Sequence, residues 1–304
     1  MKRLMVHIPV NMRGYLSDRL GEALGKFRAE TGEDVLLCTP HDPEYTGDCT
    51  EEWLLPAVRK GILPDLTVVN ATELAPLDKT VKEAVLGRDA PLFVEKHPVR
   101  KEMQALLDPE GYFYPISVTP LVMIYNPGKM AAEKLTHSWK DLFNPDFRVV
   151  FPDRDKPLTR AAGAYLLSVW PDEFAAFERR VVYDGTPASV VRSVMSGEYD
   201  VAMTNAGFAS VGTGDRLAVN AAKEGAVLLP QLLVWRKNTG AALLPFAEFM
   251  AGRAMQSYFS GQGSWPVHAE VTAPCDLSRE KQLREWRGWT AYFNSVLAFD
   301  NYRA

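Results

Sequence analysis

Cysteine is scarce in this chain of 304 residues: there are three, at positions 38, 49 and 275. An odd, small number in a chain of this size excludes a disulfide framework. Cys38 and Cys49 can pair in an oxidising compartment, whereas in a reducing one all three stay thiols. Long apolar runs are missing as well. None approaches the ~18 residues that a membrane-spanning helix needs, so no membrane insertion is expected. A secretory leader would need an apolar stretch and a small-residue cleavage site. Here the run Leu4–Val10 is broken by His7 and Pro9 and followed by Asn11-Met12-Arg13-Gly14, which reads as a strand. As written, the chain is expected to be cytoplasmic. If it is a trimmed mature form, a periplasmic or extracellular place is expected.

Basic runs are also absent, and the formal net charge is −4. Sequence-independent nucleic-acid binding needs a cationic face, so no nucleic-acid partner is expected. There is no G-x-S-x-G elbow, no Walker A loop and no G-x-G-x-x-G turn. The stretch GTGDR at 212–216 reads as a turn, and Asp153 and Asp155 sit beside Arg154 and Lys156 in a charged loop. No catalytic constellation follows, so the chain is read as a non-enzyme with no catalytic residues and no cofactor. Cys38, His41, Asp42, Glu44 and Cys49 crowd into twelve residues. Their C-x2-H-x7-C spacing matches no zinc pattern, and no metal site is expected there.

What the chain does contain is an alternation of short apolar strands with amphipathic helices. Residues 3–10 read as a strand with His7 inside it as a satisfied buried histidine. Leu16, Leu20, Ala23, Leu24 and Phe27 then recur at helical spacing, closed by Gly32. Val35–Cys38 and Leu66–Val69 read as strands. YFYPISVTPLVMIYNP is the longest strand-like run, and GAVLLPQLLVWRKN reads as two strands or one bent strand. Pro187–Ser196 is a predicted helix stopped by Gly197. Residues 278–299 read as one final helix. On it Trp286, Trp289 and Tyr292 would share a face, either packing on a lobe or forming a partner-binding stripe. Strands alternating with helices argue for α/β layers.

In such folds ligands lie beyond the carboxyl ends of strands. That rule singles out the loops at Asn11–Gly14, Asn70–Thr72, Ser117–Pro120, Asp153–Arg160 and Asn205–Phe208. From them come eight candidate ligand-binding residues: Asn11, Arg13, Asn70, Thr72, Thr119, Thr159, Arg160 and Asn205. An arginine fork fits a carboxylate or phosphate in two bonds. Small hydroxyl and amide groups suit polar solutes and oxyanions. The plain alternative is that the arginines are solvated surface residues and the others bond their own backbone in turns. His268, after the terminal WPV, is a further residue that could approach a hinge.

Several ordered motifs resemble one family. They are FRAETGEDV, GILPDLTVVN, the crossing PISVTPLVMIYNPGKM followed by HSWKDLFNPDFRVVFPD, then VMSGEYDVAMTN, and finally EGAVLLPQLLVWRKNTG with PFAEFMAGRAMQSYFSGQGSWPV. From about Lys2 to Val267 the chain resembles the type 2 periplasmic solute-binding proteins of ABC transporters, in the branch that includes ferric-iron, sulfate, molybdate and polyamine binders. The resemblance implies an α/β, two-lobed fold with mixed sheets, flanking helices and a hinge of crossing strands. It implies lobes at 1–120 plus 225–304 and at 121–224. It implies capture of a small polar or anionic ligand in the cleft by a monomer, with an ABC transporter permease as partner. The alternative is a cytosolic enzyme or ligand sensor on the same fold. Iron-binding members carry paired tyrosines after the strand that VMSGEYDVAMTN matches. This chain has Asn205-Ala206-Gly207-Phe208 there, which argues against ferric iron.

Overall fold

The structure is a computed structural model, and it describes residues 1–8, 10–38, 53–90, 96–212, 214–239 and 241–302, with the backbone alone at 10, 11, 13 and 241. The chain divides into two compact units. The first comprises residues 1–118 and 230–274, the second residues 119–229 and 275–304.

In the first unit, β1 (Lys2–Val6) lies between β2 (Val35–Cys38) and β3 (Leu66–Asn70), all parallel. Helix α1 (Val10–Thr31) makes the β1–β2 crossover, and Gly32 ends it at φ 72. That left-handed angle favours glycine because no Cβ clashes there. Helix α2 (Leu54–Arg59) precedes β3, and helix α3 (Lys79–Val85) follows it, capped by the Asp78 side chain. The other side of β3 pairs antiparallel with a strand running from the second unit, β9 (Val227–Trp235), in the register Asn70↔Gln231 to Leu66↔Trp235. Next to β9 comes β4 (Phe113–Tyr125). Beyond it α8 (Leu244–Ala251) and α9 (Arg253–Gly261) lead to β10 (Trp265–Pro266), antiparallel to β4. Asp65, at the start of β3, is buried. Burial pushes its carboxyl up, but hydrogen bonds from Arg236 and the Arg3 amide outweigh this and hold it below its ordinary value.

In the second unit, the later part of β4 pairs antiparallel with β7 (Val201–Asn205), which runs parallel to β5 (Val149–Phe151), itself parallel to β6 (Val182–Tyr183). Strand β8 (Ala218–Asn220) adds antiparallel to β4. The helices are α4 (Pro157–Val169), α5 (Pro171–Glu178), α6 (Pro187–Ser196) and α7 (Ala206–Val211). Helix α6 shows why the sequence folds this way. Thr186 and Ser189 form a capping box, Pro187 occupies the first turn, and Gly197 closes the end at φ 80. Its Val190, Val191 and Val194 pack with Ile124, Val150 and Ala202 of the sheet.

Three sequence expectations change here. Asn11–Gly14 is not a loop: it belongs to the first turns of α1, which a single glycine does not interrupt. Residues 278–299 are not one helix. The chain forms α10 (Lys281–Arg284) and α11 (Trp289–Asn301), separated by Gly288 at φ 86. Third, 275–304 does not join the first lobe as expected; it packs in the second unit. The reason lies on α4 and α11. Gly163 leaves room for the Phe299 ring, which a Cβ would overlap, and Arg160 pairs with Asp300 through two bonds of 2.9 and 2.6 Å. The unit boundaries fall inside β4 and inside β9, so the chain passes between units within two strands and again after Pro274.

Because Arg160 is buried, losing its partner leaves an uncompensated charge. Asp300→Asn is expected to destabilise the second unit by about 3 kcal/mol, measured by urea unfolding. Arg160→Met with Asp300→Leu should recover most of that loss.

A pH dependence also follows in the first unit. His97 and His268 are held below the usual imidazole value mainly by burial, and for His97 also by His268 nearby. The His268 Nδ1 accepts a hydrogen bond from the Glu270 amide at 3.2 Å, which a neutral ring allows. Above about pH 6.5 both rings are neutral folded and unfolded, so they contribute no slope. As pH falls below that value the unfolded chain takes up protons that the folded chain refuses, and stability drops. The urea midpoint should therefore fall between pH 7.5 and 5.5, and less so in His97→Gln with His268→Gln.

Candidate functional site

Strand ends of the first unit bring five polar side chains into one buried line. Strand β1 stops at Val6, and the next residue, His7, still bonds the Val68 carbonyl through its amide at 2.8 Å. That holds the imidazole beside the end of β3. A short 3₁₀ turn, Ala71–Leu74, then carries Glu73 back toward it. The His7 Nδ1 and Glu73 Oε1 are 2.6 Å apart. A carboxylate can only accept, so Nδ1 is the donor. The Asn70 amide donates to the same Oε1 at 3.4 Å and accepts from Gln231 Nε2 at 3.3 Å. Gln231 stands opposite Asn70 in the β3–β9 register, and its Oε1 accepts from the Ser117 hydroxyl at 2.6 Å.

The hydrogen bonds thus run in one direction, from Ser117 through Gln231 and Asn70 to Glu73, with His7 arriving from the other side. All five side chains are buried. Buried polar groups of this kind are costly unless satisfied. Among the described residues, Glu73 Oε2 and the Thr72 hydroxyl are shut from solvent and meet no hydrogen-bond partner. Both atoms are left unsatisfied beside the hydrogen-bonded chain.

The eight sequence candidates fare unequally. Asn70 and Thr72 belong to this cluster. Thr119 is buried in β4. The side chains of Asn11 and Arg13 lie outside the described residues. Thr159 is buried on α4 and donates to the Pro152 carbonyl at 3.0 Å, a structural bond across the strand–helix turn. The Arg160 fork, expected to clamp an anion, is engaged by Asp300 within the second unit. Asn205 caps α7, its Oδ1 accepting from the Phe208 amide at 2.9 Å. His268 belongs to the first unit, where its main chain bridges Val99. Apart from Cys38, which is buried at the end of β2, the cluster of possible metal ligands at 38–49 lies outside the described residues. No group of three or more metal-ligating side chains stands together among the described residues.

Sequence reading missed Glu73 and Gln231 and set His7 aside as a satisfied histidine. Gln231 did leave a signal: it is the lone amide in the otherwise apolar run VLLPQLLVW. Glu73 left a weaker one, an acid in the strand-exit segment NATEL.

Because its hydroxyl is buried without a partner, Thr72→Val should stabilise the protein by about 1 kcal/mol. Thermal unfolding of the two proteins side by side measures this. A loss of stability would mean that the hydroxyl is satisfied in solution.

Comparison with known proteins places this geometry. No curated protein sequence matches the chain. Among solved structures, it is similar to a ferric binding protein from Campylobacter jejuni, with 14% identity, a TM-score of 0.73, and coverage of 99% of this chain and 97% of that one. It is similar to iron-bound HitA from Pseudomonas aeruginosa, with 18% identity, a TM-score of 0.68, and coverage of 98% and 97%. It is also similar to the Atu4243 GABA receptor, with 16% identity, a TM-score of 0.64, and coverage of 100% and 98%. At these identities the likeness shows the fold, that of two-lobed periplasmic binding proteins. The sequence pattern of the bacterial extracellular solute-binding proteins matches residues 78–294, well over half of the chain. The chain belongs to the family of bacterial extracellular solute-binding proteins.

Proposed function

We propose that this protein is the ligand-capturing component of an ABC-type uptake system, and that the first unit presents the His7–Glu73–Asn70–Gln231–Ser117 chain to a small polar organic solute. The observation that carries the reading is an unpaired acceptor on a buried carboxylate. Glu73 Oε1 already receives two donors, while Oε2 receives none among the described residues. A solute that brings an N–H or O–H group to Oε2 and meets the Thr72 hydroxyl would satisfy both atoms. Charge-assisted bonds of that kind are among the stronger ones. This moves the expectation from an anionic ligand toward one with a donor. Glu73 is a charged group with an unpaired oxygen, and the Arg160 fork is engaged by Asp300.

Similar folds serve both metal and organic cargo, as the ferric binding protein and the GABA receptor indicate by their names. Two points favour an organic solute over a bare ferric ion. The segment Asn205-Ala206-Gly207-Phe208 follows the strand after which, by the resemblance, iron-binding members carry paired tyrosines, and Asn205 spends its side-chain oxygen on a helix cap. Placement outside the cytoplasmic membrane follows from the family and is part of the same proposal. So is a permease as partner.

The test is native mass spectrometry of the purified protein beside a denatured control, then calorimetry with the solute identified. Glu73→Gln is expected to weaken that solute about tenfold or more without lowering the melting temperature comparably. Equal affinity in the variant and the parent would refute the assignment of Glu73.

A further inference from the structure

Proline is out of place in the middle of a sheet, because it has no N–H to give the ladder. Strands β9 and β4 are neighbours well inside the strand order, with β3 on one side and β7 on the other. Yet β4 carries Pro115 and Pro120, and β9 carries Pro230. On β10, Pro266 stands opposite Ser117 of β4. These two strands are also where the chain passes between units, after Val118 in β4 and before Pro230 in β9. Movement of one unit against the other has to bend the chain there or after Pro274. Backbone donors are therefore thinned out at the two places in the sheet that such movement loads.

A side-chain bond spans the same place. The buried Ser117 hydroxyl donates to Gln231 Oε1 at 2.6 Å and so ties β4 to β9. Ser117 precedes the boundary residue Val118, and Gln231 follows the boundary residue Pro230. The Gln231 amide is also held in one orientation. Its Nε2 donates to Asn70 Oδ1, and the Asn70 amide in turn donates to Glu73. Turning Gln231 over would set its oxygen against the Asn70 oxygen, two acceptors with no proton between them. Its Oε1 therefore stays pointed at Ser117. Both side chains are buried, so breaking their bond leaves an unsatisfied acceptor away from water, which is costly.

We propose that Ser117 and Gln231 form a clasp that stiffens the crossing between the two units, where proline has removed backbone donors. The clasp sets how readily the two strands open locally, and through that how widely the units move. It concerns the crossing alone and stands whether or not Glu73 receives a solute.

The experiment compares hydrogen–deuterium exchange of the full chain in the parent and in Ser117→Ala, read by mass spectrometry. Amides within 116–123 and 227–233 are expected to exchange about fivefold faster in the variant, with the remaining strands at the parent rate. Ser117→Thr keeps a hydroxyl and should return both segments close to the parent. Gln231→Leu removes the acceptor and should reproduce the Ser117→Ala pattern, so the test survives if one variant fails to fold. Movement is read by spin labels at Glu30→Cys in the first unit and Glu133→Cys in the second, both exposed positions. Cys49→Ser and Cys275→Ser leave the buried Cys38 as the remaining native thiol. The distribution of label distances should broaden with Ser117→Ala. Unchanged exchange in both crossing segments would overturn the proposal. So would faster exchange spread evenly over both units, which reports global destabilisation, or an unchanged width of the distance distribution.

Discussion

A buried carboxylate has to be surrounded by donors, and Glu73 imposes that requirement on much of the first unit. It takes one donor from the residue after β1 and one from the last residue of β3. It draws in Gln231 and Ser117 through Asn70. Strands far apart in sequence are thereby tied at their ends by side chains as well as by their ladders. The register of β9 against β3 matters for this reason: a one-residue slip would turn Gln231 to the other face and break the line. A polar chain of this sort contributes little net stability compared with an apolar core, but it makes one strand alignment preferable to its neighbours.

Two of the buried charges are handled differently. In the first unit, the Glu73 carboxylate keeps one oxygen unpaired. In the second, Arg160 is closed off by a bidentate partner. The same residue type at a strand exit therefore reads as a ligand arm from sequence and as a packing element from structure. The difference rests on Asp300, 140 residues away, which no local pattern connects to Arg160.

Much of the architecture was legible because local physics and global fold agree. Pro187 at a helix start, Gly197 at its end and valines between them specify α6 with little help from the rest of the chain. The order of weak motifs gave the family, since each marks a strand or helix that recurs in it. The failures share a cause. Asn11–Gly14 read as a loop because its residue types favour turns, yet tertiary packing carries α1 through them. The tail read as one helix because its apolar spacing is helical, yet the helix is interrupted over residues 285–288, where Gly288 takes φ 86. Glu73 and Gln231 escaped because single polar residues in apolar runs carry no period. Their meaning appears only when two strands are laid side by side.

The path of the chain has a consequence for how the molecule is made. Each unit is assembled from two stretches of sequence, and the second needs residues 275–304. Helix α4 finds the ring that fills its Gly163 notch only when Phe299 has been synthesised. On a ribosome, which releases the chain from its N-terminus, the first unit cannot close before residues 230–274 are made, nor the second before 275–304. Such long-range closure slows folding. Until those segments emerge, the apolar strands of each unit stay accessible to whatever chaperone or channel meets them first.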